Sequence, residues 1–228
     1  MAQQTHTILT VSDLNERLIA RAVPASRPVS FYLRLRMGPL RELARELADA
    51  PIDWSGFDYK THYELNLLRG LIVAYGREPL EKKWAFYREY FRRAEDWSYV
   101  DSVAVTLSQK DKREIWKVIP EFARSPYPYL RRFGFVLALV FLVKDGPLDI
   151  LWPLIDDHEP VYHVYMAIAW LLAEIFIKRR QEFLQYMNRC DLDVHIRQKM
   201  VSKIRDSYRV SKNDKEFAKI FKDKKVDQ

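Results

Sequence analysis

Residues 128–143 read Pro-Tyr-Leu-Arg-Arg-Phe-Gly-Phe-Val-Leu-Ala-Leu-Val-Phe-Leu-Val, and the fold follows from how this stretch is read. After Arg132 it is hydrophobic nearly all round, as expected of a helix packed on several sides. The apolar run Phe133 to Val143, the longest in the chain, has 11 residues, whereas a membrane-spanning helix needs roughly 20. Asp145-Gly146-Pro147 then stops that helix and restarts the chain. The stretch therefore reads as a buried helix of a water-soluble protein.

Helical periodicity extends in both directions from this segment. Upstream, Leu40, Leu43, Ala44 and Leu47 form an apolar stripe opposite Arg41, Arg45 and Glu46. Tyr63, Leu67, Gly70, Leu71 and Ala74 form another, with Gly76 expected as a left-handed C-cap and Pro79 in the first turn of the next helix. Trp84, Tyr87 and Tyr90 continue as an aromatic face, and Asp111 through Ala123 fits a helix closed by Ser125-Pro126. Downstream, a helix starting near Pro160 has a broad apolar face made of Val161, Val164, Ile168, Leu171, Leu172 and Ile175. Further helices fit Glu182 to Asn188, Val194 to Tyr208 and Asn213 to Asp223. The expectation is roughly ten to twelve helices of about 8–18 residues joined by short loops. Strand-like alternation is hard to find.

Composition agrees. The 228 residues are 48% apolar and 30% charged, which excludes a disordered tail and a membrane protein. Six glycines occur where average usage would give about 16, and hairpin-rich folds need glycine for their turns. The fold class is all-α. No Gly/Ser- or Pro-rich linker interrupts the helices, so residues 1–228 read as one helical domain. Helix pairs stacked side by side give an α-solenoid, and with no fixed repeat period the candidate is a degenerate HEAT-like array. Periodicity alone also allows a compact irregular bundle.

The single cysteine, Cys190, rules out an internal disulfide and a Cys-based zinc cluster, and Met1 to Leu9 lacks the pattern of a signal peptide. The expected location is the cytoplasm. Net charge is +7, all of it in the last quarter: Lys178 to Gln228 holds 15 Lys/Arg against 8 Asp/Glu, and the rest of the chain balances at 23 of each. Such a tail suits a polyanion, nucleic acid before an anionic membrane surface, or is a solvated helical face.

Common catalytic signatures are missing: no Gly-rich phosphate loop, no His-Glu-x-x-His and no Gly-x-Ser-x-Gly. The five histidines, His6, His62, His158, His163 and His195, form no helical metal-binding pair, so no metal or nucleotide cofactor is expected. What stands out is a set of residues placed against the helical pattern. Trp97 and Asp101 are spaced i, i+4 and share a face if helical, or else are a core tryptophan and a surface cap. One of Arg131 and Arg132 must approach the buried side and needs an anionic partner there, either an internal carboxylate or a phosphate. Trp170 lies beside small residues, in a groove or in ordinary core.

Four fragments in order, Trp-x-x-x-Asp at 97–101, Tyr-Leu-Arg-Arg-Phe-Gly at 129–134, Ala-Ile-Ala-Trp at 167–170 and Ile-Arg-Asp-Ser-Tyr-Arg at 204–209, resemble the AlkD-like bacterial alkylpurine DNA glycosylases with HEAT-like repeats. The resemblance runs from about Pro39 to Tyr208 and is weakest over residues 1–36. It implies a C-shaped solenoid with a concave basic face that holds double-stranded DNA; the expected state is a monomer. It implies excision of cationic N3- and N7-alkylated purines by cleavage of the N-glycosidic bond. On the same basis Asp101 corresponds to the catalytic carboxylate, Trp97 and Trp170 to the aromatic residues at the lesion's backbone and sugar, and Arg132 to the arginine near the phosphate. Arg131, Arg197, Lys199, Lys203, Arg205 and Arg209 are the expected DNA-binding cations.

The implied chemistry suits these residues. A pre-charged purine leaves without a general acid, and the carboxylate stabilises the oxocarbenium-like sugar and orients water. The indoles offer their negative faces to the same cation. No catalytic lysine is implied, so a monofunctional enzyme without Schiff-base strand cleavage is expected. Three departures from the family pattern bear on DNA affinity and lesion range: Asp96 where a second Trp often stands, poor preservation over Ser26 to Pro39, and Val140 in place of a lysine. The competing expectation is a non-catalytic HEAT-like module that binds nucleic acid or protein. Convergence of Asp101, Trp97 and Trp170 on one basic concavity separates the two.

Overall fold

The computed structural model describes residues 7–21, 33, 35–58, 63–155 and 159–222. Most of Ser26–Pro39 lies outside the described residues, as do His6, His62, His158 and Asp223. Among the described residues the chain is helical, with eleven α-helices and four single turns of 3-10 helix. The only strand among them is a two-residue parallel bridge of β1 (Leu9–Thr10) with β2 (Ile52–Asp53), in register Leu9 to Ile52. Two residues are too few to show alternation, which is why the sequence reads as helix alone. No described helix is long and apolar enough to cross a membrane. The chain divides into two compact units, Met1–Arg93 and Ala94–Gln228.

The first unit holds α1 (Val11–Arg21), α2 (Met37–Glu46), α3 (Tyr63–Tyr75) and α4 (Leu80–Arg92). The expected stripe Leu40, Leu43, Ala44 and Leu47 is buried, and α3 is buried on most of its surface. The α4 face Trp84, Tyr87 and Tyr90 is buried as well. Its phenols stay satisfied because Tyr87 donates to Gly70 O (3.1 Å) and Tyr90 to Asn66 O (2.7 Å). Gly76 departs from expectation: its φ is not left-handed, and its amide continues the α3 ladder to Ile72 O. Glycine is needed there for space, since a Cβ would stand 2.9 Å from Ala48 O.

The second unit is built of α5 (Trp97–Ala104), α6 (Lys112–Ala123), α7 (Pro128–Phe141), α8 (Tyr162–Lys178), α9 (Arg180–Met187), α10 (Val194–Asp206) and α11 (Lys212–Ala218). Helix α7 is the segment quoted at the outset. It starts at Pro128, whose missing N–H costs nothing in a first turn, and it packs on α5, α6 and α8. Phe133, Phe135, Val136, Leu137 and Ala138 are fully or almost fully buried, each large side chain contributing about 1.5–3 kcal/mol. Gly134 lets α7 approach the end of α6. A Cβ there would lie 2.4 Å from the backbone nitrogen of Ala123, so even alanine forces the helices apart. Helix α8, buried on most sides, packs in turn against α7, α9 and α10. This succession α5–α7–α8–α10 frames the site.

Candidate active site

Helix α5 is short and begins where Asp96 caps it: the Asp96 carboxylate accepts from Ser98 N (2.8 Å) and from Ser98 Oγ. The departure at Asp96 therefore has a structural role. Tyr99, Val100, Val103 and Ala104 turn into the core, which leaves Trp97 and Asp101 one turn apart on the other face. Trp97 is 47% exposed, so it is not a core residue.

Opposite α5, Arg132 projects from the first turns of α7. Its Nε and Nη2 donate to the two oxygens of Asp101 at 2.9 and 2.8 Å, and its Nη1 donates to His163 O at 2.5 Å. The side chains of Arg132 and Asp101 are 7% and 17% exposed. Between the two readings of Arg132, internal pair or phosphate ligand, the geometry gives the internal pair: every terminal nitrogen of its fork has a protein acceptor. The guanidinium also lies 5.6 Å from the centre of the Trp97 ring. Tyr129 Oη donates to Glu95 O (2.9 Å) and its ring stacks on His163, tying the start of α7 to the entry of α5 and to α8.

Trp97, Asp101, Arg132 and Trp170 line one cavity of about 350 Å³. Its remaining walls are Tyr162, His163 and Met166 on α8 and Lys203 on α10. The Lys203 amine stands over the Trp170 ring, 5.6 Å from its centre. Burial first, and then the Arg132 cation, hold this amine below the usual lysine range. Tyr162, Met166 and Trp170 recur every four residues on α8, a spacing that marks one helix face and that a search for cavity walls would have found.

The other expected cations divide. Arg131 sits on the neighbouring side of α7 and gives Nε and Nη2 to Glu159 (2.8 and 2.9 Å) and Nη1 to Ser125 O. It lines a separate cleft with Pro126, Pro153 and Pro160. Arg197 is buried, with Asp191 3.9 Å away, so it presents no open surface. Arg209 is half exposed but forked onto Glu174. Lys199 and Arg205 are exposed on α10, and Val140 is half-buried near the end of α7.

A model of the DNA alkylation repair enzyme family matches residues 33–210, a span that includes every cavity side chain named above. The chain belongs to the DNA alkylation repair enzyme family. No curated protein and no solved structure matches it. Membership of a DNA alkylation repair family points to DNA as the substrate, and the cavity brings together a carboxylate held by an arginine, two indole faces and an amine.

Proposed function

We propose that this enzyme is a DNA glycosylase that hydrolyses the N-glycosidic bond of cationic N3- and N7-alkylated purines in duplex DNA. The observation that carries the reading is the convergence of Trp97, Asp101 and Trp170 on one cavity, with the carboxylate clamped by Arg132. The bond to the alkylated base breaks with its electron pair going to the base, which is already positively charged and departs neutral. Positive charge then develops on the deoxyribose. Asp101 stabilises that cation and accepts a hydrogen bond from the attacking water, since each oxygen held by Arg132 keeps a free acceptor site. The fork of Arg132 fixes the plane of the carboxylate before the reaction begins.

The indoles of Trp97 and Trp170 flank the sugar and offer their negative faces to it. Lys199 and Arg205, exposed on α10, neutralise phosphates of the same strand. The packing of α6 on α7, α7 on α8 and α8 on α10 supports degenerate HEAT-like pairing in this unit, and we take the enzyme to act as a monomer. The test is release of free 3-methyladenine or 7-methylguanine from methylated duplex DNA. Wild-type protein releases the base and Asp101→Asn suppresses release while retaining duplex binding. Absence of release by the wild-type protein would leave a binding module.

A further inference from the structure

Hydrolysis as described gives the Lys203 side chain no task. Each oxygen of Asp101 accepts one hydrogen bond from Arg132 and none from Lys203, and among the described residues Lys203 has no hydrogen bond or ion pair; its amine rests on the Trp170 indole. Lys199, on the same helix, is exposed to water. Lys203 is instead half-buried, in the same cavity as Asp101. An amine desolvated against an apolar surface and beside a second cation is activated as a nucleophile toward carbonyl carbon.

We propose that Lys203 captures the abasic sugar in this cavity as an imine at C1′, giving the enzyme an abasic-site lyase activity. The proposal rests on the glycosylase reading only for the origin of that sugar. It reverses the expectation of a monofunctional enzyme, because the sequence places Lys203 on a basic helix without revealing that it turns inward onto Trp170.

The step balances without any oxidant or reductant. The ring-opened abasic deoxyribose carries an aldehyde at C1′. Neutral Nζ adds to that carbon, the C1′–N bond forms, the former carbonyl oxygen takes one proton from the amine and one from solvent, and it leaves as water to give a protonated imine. The imine acidifies C2′, whose proton passes to water. The C3′–O bond then breaks with its electron pair going to the 3′-phosphate. Hydrolysis of the unsaturated imine restores the lysine. A neutral amine also suits the preceding step, since a second ammonium would oppose the cation forming on the sugar.

The groups facing the amine are Arg132 from α7, Asp101 from α5, Tyr162 and His163 from α8, and Asp206 and Lys199 from its own helix. Burial, Arg132 and Lys199 favour the neutral form, while the two aspartates oppose it. The balance lowers the amine's pKa, so imine formation rises with pH and reaches its plateau earlier than for an exposed lysine.

A duplex carrying one preformed abasic site, incubated with the full-length protein and sodium borohydride, tests this directly. The expected result is a covalent protein–DNA adduct that tryptic mass mapping locates on Lys203. Lys203→Arg is expected to lose the adduct while still binding a duplex that carries a tetrahydrofuran abasic analogue. No adduct with the wild-type protein, or an adduct mapped to another lysine, overturns the proposal, and the mapping decides even if the variant fails to fold. Because the abasic site is supplied, a negative result leaves base excision untouched. Methylpurine release, measured separately, judges that reading.

Discussion

Arg131 and Arg132 are adjacent on α7, and each grips a carboxylate with two parallel hydrogen bonds and donates a third to a backbone carbonyl. The pairing chemistry is the same; the surroundings differ. Glu159 is 5% exposed, accepts a further bond from Val161 N, and faces a cleft walled by three prolines. Asp101 is 17% exposed and faces a cavity with two indoles and an amine. An ion pair becomes a reaction site when its carboxylate keeps acceptor positions open to something other than protein. Pairing alone identifies neither.

The largest expected effect separates the two pairs by activity. Asp101→Asn lowers the single-turnover rate of methylpurine release by about 10²–10³-fold, the scale on which removal of one preorganised charge-stabilising group acts. Glu159→Gln leaves that rate near wild type once the protein is folded. Equal losses from both substitutions would show that the carboxylates act only as supports for α7.

Stability should rank them the other way. Removing the arginine from a buried pair costs about 3–5 kcal/mol, because the remaining carboxylate is stranded. Arg131→Met should approach that range, since Glu159 is almost sealed, whereas Arg132→Met should cost less, since water reaches Asp101 through the cavity. Urea unfolding of the two variants measures the order, and the reverse order would contradict the difference in solvent access.

How much of this is legible in the sequence depends on distance along the chain. The α7 core, the α2 stripe and the aromatic face of α4 repeat with helical period and can be read locally. The shared face of Trp97 and Asp101 is equally local. The sequence also shows that one of Arg131 and Arg132 needs an anion. It does not show that both find one, because Asp101 and Glu159 lie 31 and 28 residues away and only the packing of α5 and α8 on α7 brings them there. Lys203 escapes for the same reason: its charge reads as part of a basic tail, and its contact with Trp170 crosses between helices. Gly76 and the two-residue bridge of β1 with β2 are lost to local rules altogether, since each depends on a neighbour more than twenty residues distant.

A smaller effect sharpens what the indoles contribute. Trp97 is half exposed, with the Arg132 guanidinium 5.6 Å from its ring centre, so Trp97→Ala should change folding stability by less than about 1 kcal/mol. Its effect should fall on base release, with duplex affinity nearly preserved. A large drop in stability would mean that Trp97 supports the ion pair and does not primarily contact the sugar.

The smallest effect comes from a third pair, whose carboxylate is buried but whose arginine is half exposed. Glu174 is held below the usual carboxylate range. Its own burial pushes it up, but the combined hydrogen bonds and charges of Arg209 and Lys178 outweigh that push. A carboxylate with a lowered folded-state pKa stabilises the protein fully above its unfolded value, and that contribution fades as pH falls through the lower folded value. Acid titration of stability should therefore show a loss below the ordinary glutamate range, and Glu174→Gln should flatten it. Arg209 is 54% exposed, so solvent and salt screen the pair, and the change should shrink further as ionic strength rises. If Glu174→Gln matches Arg131→Met in cost, exposure of the arginine partner does not weaken these pairs.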